Sequence, residues 1–227
     1  MPTINWLKKE FYYGYSSGNI LSLIPDRRRR NDEQKSGGSY RRVFYRAILP
    51  HITTKSVVLE LGPGSGSWSR AILKYIPNGK LLTVDFQNVT EWLQPQNYQG
   101  RLECYQVNDR TFSCIEDNSI DFFWSFGVLC HNNIEHIQEI LAHALPKIKP
   151  QGFACHQYGD WNKLEIFGWK KGGVPLNFKE TSDDEIWWPR NSKSTMKQIA
   201  EDIGWSVIDG DLGLLKRDGI ILLQRPQ

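Results

Sequence analysis

The stretch Val57-Val58-Leu59-Glu60-Leu61-Gly62-Pro63-Gly64-Ser65-Gly66-Ser67-Trp68-Ser69 constrains the fold of this chain more than any other. An apolar run cut off by glycines reads as a buried strand over residues 56–61. The glycines then let the backbone turn tightly and leave it bare to an approaching ligand. Residues 68–76 follow a helical pattern that Pro77-Asn78-Gly79 stops. The glycine spacing is GxGxG, because residue 67 is Ser, and so it departs from the GxGxxG fingerprint of dinucleotide folds. Glu60, immediately ahead of the loop, would repel a diphosphate and attract an ammonium group.

Beyond that loop, strands and helices alternate. Residues 80–85, 102–107, 120–126 and 153–158 read as a second, third, fourth and fifth strand. Between the last two, Ile134, Ile137, Ile140, Leu141, Ala144, Leu145 and Ile148 recur at three and four residues and give a helix one apolar stripe. Asn132 or Asn133 caps its start, and Pro150-Gln151-Gly152 ends it. Such alternation predicts an α/β fold with a doubly wound, mainly parallel sheet covered on both faces. The tail differs: residues 205–209 and 219–224 read as two strands with only a loop between them, so they pair antiparallel if they pair at all. The expectation is five parallel strands plus a C-terminal antiparallel hairpin.

A length of 227 residues fits one domain with an appended arm. Residues 1–39 read as that arm: irregular, aromatic at first, then basic, then Ser36-Gly37-Gly38-Ser39 as a flexible joint. Residues 40–49 read as a helix ending at Pro50, and residues 40–227 as the domain proper. Arg27 to Arg30 sit among Asp26, Asp32 and Glu33 and read as a solvated charge run. A net charge of +3 is too small by itself to imply a polyanionic partner. Cys104, Cys114, Cys130 and Cys155 lack CxxC spacing and read as reduced thiols, with neither a zinc site nor a disulfide framework expected. The chain has no run of eighteen apolar residues and no apolar secretory stretch near Met1, so the expectation is a cytoplasmic protein without a membrane span.

The acidic residues fall where open α/β sheets bind ligands. Asp85 closes the second strand, about twenty residues past the glycines, where a carboxylate accepts hydrogen bonds from a ribose. Asn108-Asp109 follows the third strand. With VVLELGPGSGSWS, LLTVD, VND, IDFFWSFGVLCHN and ILAHALPKIKPQGFACH in this order, residues 40–225 resemble the class I S-adenosylmethionine (SAM) dependent methyltransferase superfamily, of Rossmann-like fold. The resemblance implies strand order 3-2-1-4-5-7-6, with strand 7 antiparallel, and SAM as cofactor. It also implies that Gly62, Gly64 and Gly66 flank the methionine part of SAM, that Asp85 holds the ribose hydroxyls with Phe86 beside the adenine, and that Asp109, next to Asn108, faces the adenine amino group. Ser125 and Phe126 would then close the pocket floor, and Trp68 either packs in the core or contacts the cofactor.

Methyl transfer to a hydroxyl needs a base. His131, between the fourth strand and the long helix, is the leading candidate, with an imidazole that titrates near operating pH. His156 and Asp160, by the end of the fifth strand, form a second candidate pair. The fourth strand reads Trp124-Ser125-Phe126-Gly127 and lacks the Asn/Asp-Pro-Pro-Tyr/Phe tetrad with which one branch of that superfamily grips an amino group. Residues 159–190 form an aromatic insert whose Trp161, Trp169, Trp187 and Trp188 are expected to build an acceptor pocket, with Tyr12 and Tyr13 of the arm closing over it. The first reading is a small-molecule O-methyltransferase acting on a sugar, phenol or natural product. An N-methyltransferase on a small amine, an RNA or protein methyltransferase supported by the arginine run, and a non-catalytic SAM-binding protein are the alternatives.

Overall fold

The computed structural model describes residues 4–10, 12 and 14–227. Seven strands form one sheet in the order β3-β2-β1-β4-β5-β7-β6. They are β1 Val57–Leu61, β2 Lys80–Asp85, β3 Leu102–Gln106, β4 Ile120–Ser125, β5 Ile148–Gly159, β6 Ser206–Asp209 and β7 Asp218–Gln224. β1 to β5 pair parallel with their neighbours, and β7 lies antiparallel between β5 and β6. The predicted strand order and C-terminal hairpin are both present.

The central strands bury both faces, as a doubly wound sheet requires. Val58, Phe122 and Trp124 point to one face and join Phe44, Ile48, Trp68 and Ile72 in one core. Leu59 and Phe123 point to the other and meet Ile137, Leu141, Met196 and Ile199. The first face is covered by α3 Tyr40–Val43, which continues through a π-helical turn Phe44–Ile48, and by α4 Ser67–Tyr75. A short α5 Thr90–Leu93 follows β2, and α6 Ile134–Ala144 covers the second face. Asn133 caps α6, its side chain accepting from the His136 amide at 3.1 Å. The apolar stripe outlasts the helix because Pro146 offers no N–H to continue it, and Ile148 already opens β5.

The described part of the arm is only partly irregular. It carries α1 Ile4–Glu10 and α2 Arg27–Ser36. Sequence periodicity missed α2 because the helix has no apolar stripe; its inner face is a guanidinium. Arg29 is 2% exposed and donates to Glu33 Oε1 at 2.8 Å, to the Asn19 carbonyl at 2.7 Å and to the Ser22 carbonyl at 2.8 Å. One member of the charge run is therefore internal. The Ser36–Ser39 joint is a fixed turn: Gly37 ends α2 in the left-handed region, and the Lys216 and Arg217 amides donate to the Ser36 carbonyl.

The insert holds α7 Trp161–Phe167 and α8 Trp169–Gly172, and α9 Lys193–Ile203 leads on to β6. Leu164, Trp169, Val174, Phe178, Ile186 and Trp188 form a small core of their own with Cys130. Among the described residues, no helix is long and apolar enough to cross a membrane.

Candidate functional site

A cavity of about 470 Å³ lies over the C-terminal ends of β1, β2 and β4, where an open α/β sheet binds its ligand. Gly62 and Gly64 form one wall with φ of +68° and +53°. A Cβ on Gly62 would run into Val128, and one on Gly64 into the Tyr15 carbonyl oxygen. The arm docks on this loop: the Ser65 amide donates to that carbonyl at 2.9 Å, and the Ser17 amide to Ser67 Oγ at 2.9 Å. Gly66 stands off the cavity and begins α4.

Glu60 does not reach the cavity wall. It is buried behind the loop and accepts from Ser69 Oγ at 2.5 Å, and loss of solvent pushes its carboxyl up to about 7. The expected direct contact with an ammonium is thus replaced by a brace between β1 and α4. Asp85 does line the cavity, accepts from the Gln87 amide at 2.9 Å, and is pushed up to about 6 by burial. Phe86 is beside it, and the Arg110 guanidinium lies 5.6 Å from the Phe86 ring centre. Asp109 lines the same end and is held below the usual carboxylate range by the Thr111 hydroxyl and amide. Asn108 turns away and accepts from Lys8 Nζ at 2.9 Å. Trp68 and Phe126, with ring centres 4.8 Å apart, form the floor, while Ser125 is sealed beneath it.

At the other end, His131 meets Trp187 and Trp188. His131 Nδ1 is 2.7 Å from the Trp187 carbonyl. A carbonyl only accepts, so Nδ1 carries the proton and Nε2 is the acceptor of the ring. Burial lowers the pKa of His131, so the neutral ring prevails at pH 7.

Several expected acceptor and catalytic residues lie elsewhere. His156 is fully buried, accepts or donates at Ser125 Oγ (2.8 Å from Nδ1) and packs edge-on against Phe123. Asp160 is 2% exposed and caps α7, accepting from the Asn162 and Lys163 amides. Neither lines the cavity. Trp161 and Trp169 pack edge to face in the insert; Trp161 Nε1 donates to the Trp188 carbonyl and Trp169 Nε1 to Glu165. Tyr12 is 72% exposed and off the cavity wall, and Tyr13 lies outside the described residues.

In their place the fold supplies residues that no motif marks: Tyr15, Asp32, Lys35, Tyr40, Gln157 and Arg217. Gln157 Oε1 accepts from the Gly127 amide at 2.8 Å. Arg217 grips Asp218 through Nε and Nη2 at 2.7 and 2.8 Å, gives Nη1 to the Gly172 carbonyl at 2.8 Å, and stacks 4.5 Å from the Trp188 ring centre. An arginine beside an aspartate at a strand start was the one available signal.

Comparison with known proteins bears on the fold. Residues 58–152 match the family described as methyltransferase domain. A protein from Pyrococcus horikoshii OT3 superposes with a TM-score of 0.65 at 14% identity, over 96% of this chain and 99% of the other. A SAM-dependent methyltransferase from Aquifex aeolicus gives a TM-score of 0.61 at 16% identity, over 93% of this chain and 99% of its own. The fold is the class I SAM-dependent methyltransferase fold. In sequence, phosphoethanolamine N-methyltransferase 1 of Triticum aestivum is 30% identical over 129 residues, which is 50% of this chain. The match spans only 24% of the wheat enzyme.

The cofactor that this fold implies is SAM. The residues present fit it. The Asp85 carboxylate stands on the cavity wall where a ribose diol would donate to it, and Gly62 and Gly64 line the same wall with no side chain of their own.

Proposed function

We propose that this protein transfers the methyl group of SAM to a hydroxyl of a small-molecule acceptor, with His131 as general base. The observation that carries the reading is one continuous cavity with Asp85 and the glycine loop at one end and a neutral, oriented imidazole at the other. Bound SAM supplies an electrophilic methyl on a sulfonium. Gly62, Gly64, Asp85, Phe86, Asp109 and the Trp68–Phe126 floor hold it. His131 Nε2 takes the proton of the acceptor hydroxyl as the oxygen–carbon bond forms; the carbon–sulfur bond breaks with its electron pair left on sulfur, giving S-adenosylhomocysteine. Alignment of acceptor, methyl and sulfur by the walls is worth on the order of 7–11 kcal/mol in favourable cases.

Residues 1–39 act as a lid in this reading, since Tyr15, Asp32 and Lys35 close the cavity over the domain of residues 40–227. From the insert at 159–190, Trp187 and Trp188 are the acceptor-side walls. N-methylation of a small amine is the second reading, favoured by the similarity to the wheat N-methyltransferase. Methyl transfer from labelled SAM to a panel of hydroxyl and amine metabolites separates the two. His131→Ala should lower kcat by about 10²- to 10⁴-fold at unchanged SAM affinity; undiminished turnover removes His131 from the mechanism.

A further inference from the structure

We infer that the acceptor is a neutral polyhydroxyl ring, a sugar, held by Asp32 and Arg217 against the Trp187–Trp188 corner, an inference that rests on the methyl-transfer reading above. Three observations lead there. Charge is the first. At the acceptor end the carboxylates of Asp32 and Asp218 balance the cations of Lys35 and Arg217, and Arg217 is locked to Asp218 by two bonds. A phosphorylated or carboxylated acceptor needs surplus cation, and an ammonium needs surplus carboxylate, because an uncompensated charge in a desolvated site is costly.

The second observation is the pattern of unmet polar atoms. Asp32 takes a hydrogen bond from Tyr15, yet its Oδ2 is buried with no partner, as is Trp188 Nε1. Guanidinium has five N–H donors; the bonds of Arg217 to Asp218 and Gly172 leave one on Nη1 and one on Nη2. Acceptor and donors therefore stand together, which suits vicinal hydroxyls that each give and take a hydrogen bond. A simple phenol methylated at its single hydroxyl would leave the Asp32 oxygen unmet, at the desolvation cost of a buried acceptor without a donor.

Shape is the third. The Trp187 and Trp188 rings stand at 82° with centres 5.7 Å apart, and the His131 ring is 5.9 and 5.4 Å from them. His131 packs into that corner, so an acceptor ring lies against the cavity-facing edges of the three rings, beside the base and with its polar rim toward Asp32 and Arg217. No step of the chemistry needs Asp32; its part is to bind the acceptor.

The test uses the full chain with S-adenosylhomocysteine or SAM. Calorimetry with S-adenosylhomocysteine bound compares hexoses, nucleoside-diphosphate hexoses, catechol, ethanolamine and phosphoethanolamine as ligands, and labelled transfer then follows the same set. Free hexoses are expected to bind and be methylated; preference for the charged nucleoside-diphosphate hexoses would contradict the charge balance and overturn the inference. Asp32→Asn should lower kcat/KM for the sugar about 10- to 100-fold with SAM affinity intact, and a deoxy sugar lacking the hydroxyl at Asp32 should narrow that gap. Binding or turnover confined to catechol or to the amines, absence of any sugar binding, or an Asp32→Asn enzyme as efficient as the parent would each overturn the inference alone. Failure to bind S-adenosylhomocysteine would instead overturn the methyl-transfer reading. Retained S-adenosylhomocysteine binding by Asp32→Asn shows that the variant is folded.

Discussion

One buried and one half-buried carboxylate give the molecule a pH signature. Burial raises Glu60 from 4.5 to about 7 and Asp85 from 3.8 to about 6. The native state then keeps protons that the unfolded chain has released, so stability must fall as pH rises from about 4 to about 7. Thermal melts of the protein without cofactor should show that fall, and Glu60→Gln should flatten it. An identical slope in the variant would mean that Glu60 titrates normally. Donors from a ribose favour ionised Asp85, so cofactor binding should release protons near pH 6. Asp85→Ala should weaken SAM binding by about 10- to 100-fold, the worth of a hydrogen bond to a charged group, as read by calorimetry. His131 shifts the other way: its lowered pKa places the acidic limb of the kcat/KM profile below 6.5.

At the scale of the element, two helix starts decide different matters. Asp26 caps α2, accepting from the Arg29 amide at 2.9 Å, and also takes the Asn19 amide at 3.4 Å. Asp26→Ala should cost about 0.5–2 kcal/mol and loosen the segment that carries Tyr15 to the glycine loop. Denaturant unfolding measures the first effect and SAM affinity the second. Asp160 caps α7 in the same manner, and its two amide bonds account for its burial. Asp160→Ala should therefore lose about 1 kcal/mol while methyl transfer at saturating substrates is kept. A large drop in kcat without loss of stability would return Asp160 to the chemistry.

For the molecule as a whole, the cofactor cavity joins the arm, the sheet and the insert, so ligand binding should stabilise all three together. At a hundred times its Kd, SAM should add about 2.7 kcal/mol, a rise in Tm of roughly 5–10 °C for a chain of this length. A shift confined to one of two separate melting steps would show that arm or insert unfolds independently of the site.

Local pattern carried the sheet and the cofactor end. Gly62 follows directly on β1, Asp85 closes β2 and Asp109 lies three residues past β3, so finding the strand finds the residue. Phe122 and Phe123 announced a strand buried on both faces in the same way. The acceptor end had no such mark, because Asp32, Gln157 and Arg217 come from α2, β5 and the start of β7, which only the strand order brings together. Strand parity decided the rest: successive side chains point to opposite faces, so Gln157 reaches the cavity while its neighbour His156 is sealed against Phe123. Sequence alone determined the succession of strands and helices and the glycine loop, since these rest on contacts near in the chain, while the strand order was implied by the resemblance. Tertiary structure alone decided which residues form the wall proposed for the methyl acceptor, since that wall is assembled from side chains far apart in sequence whose facing depends on packing.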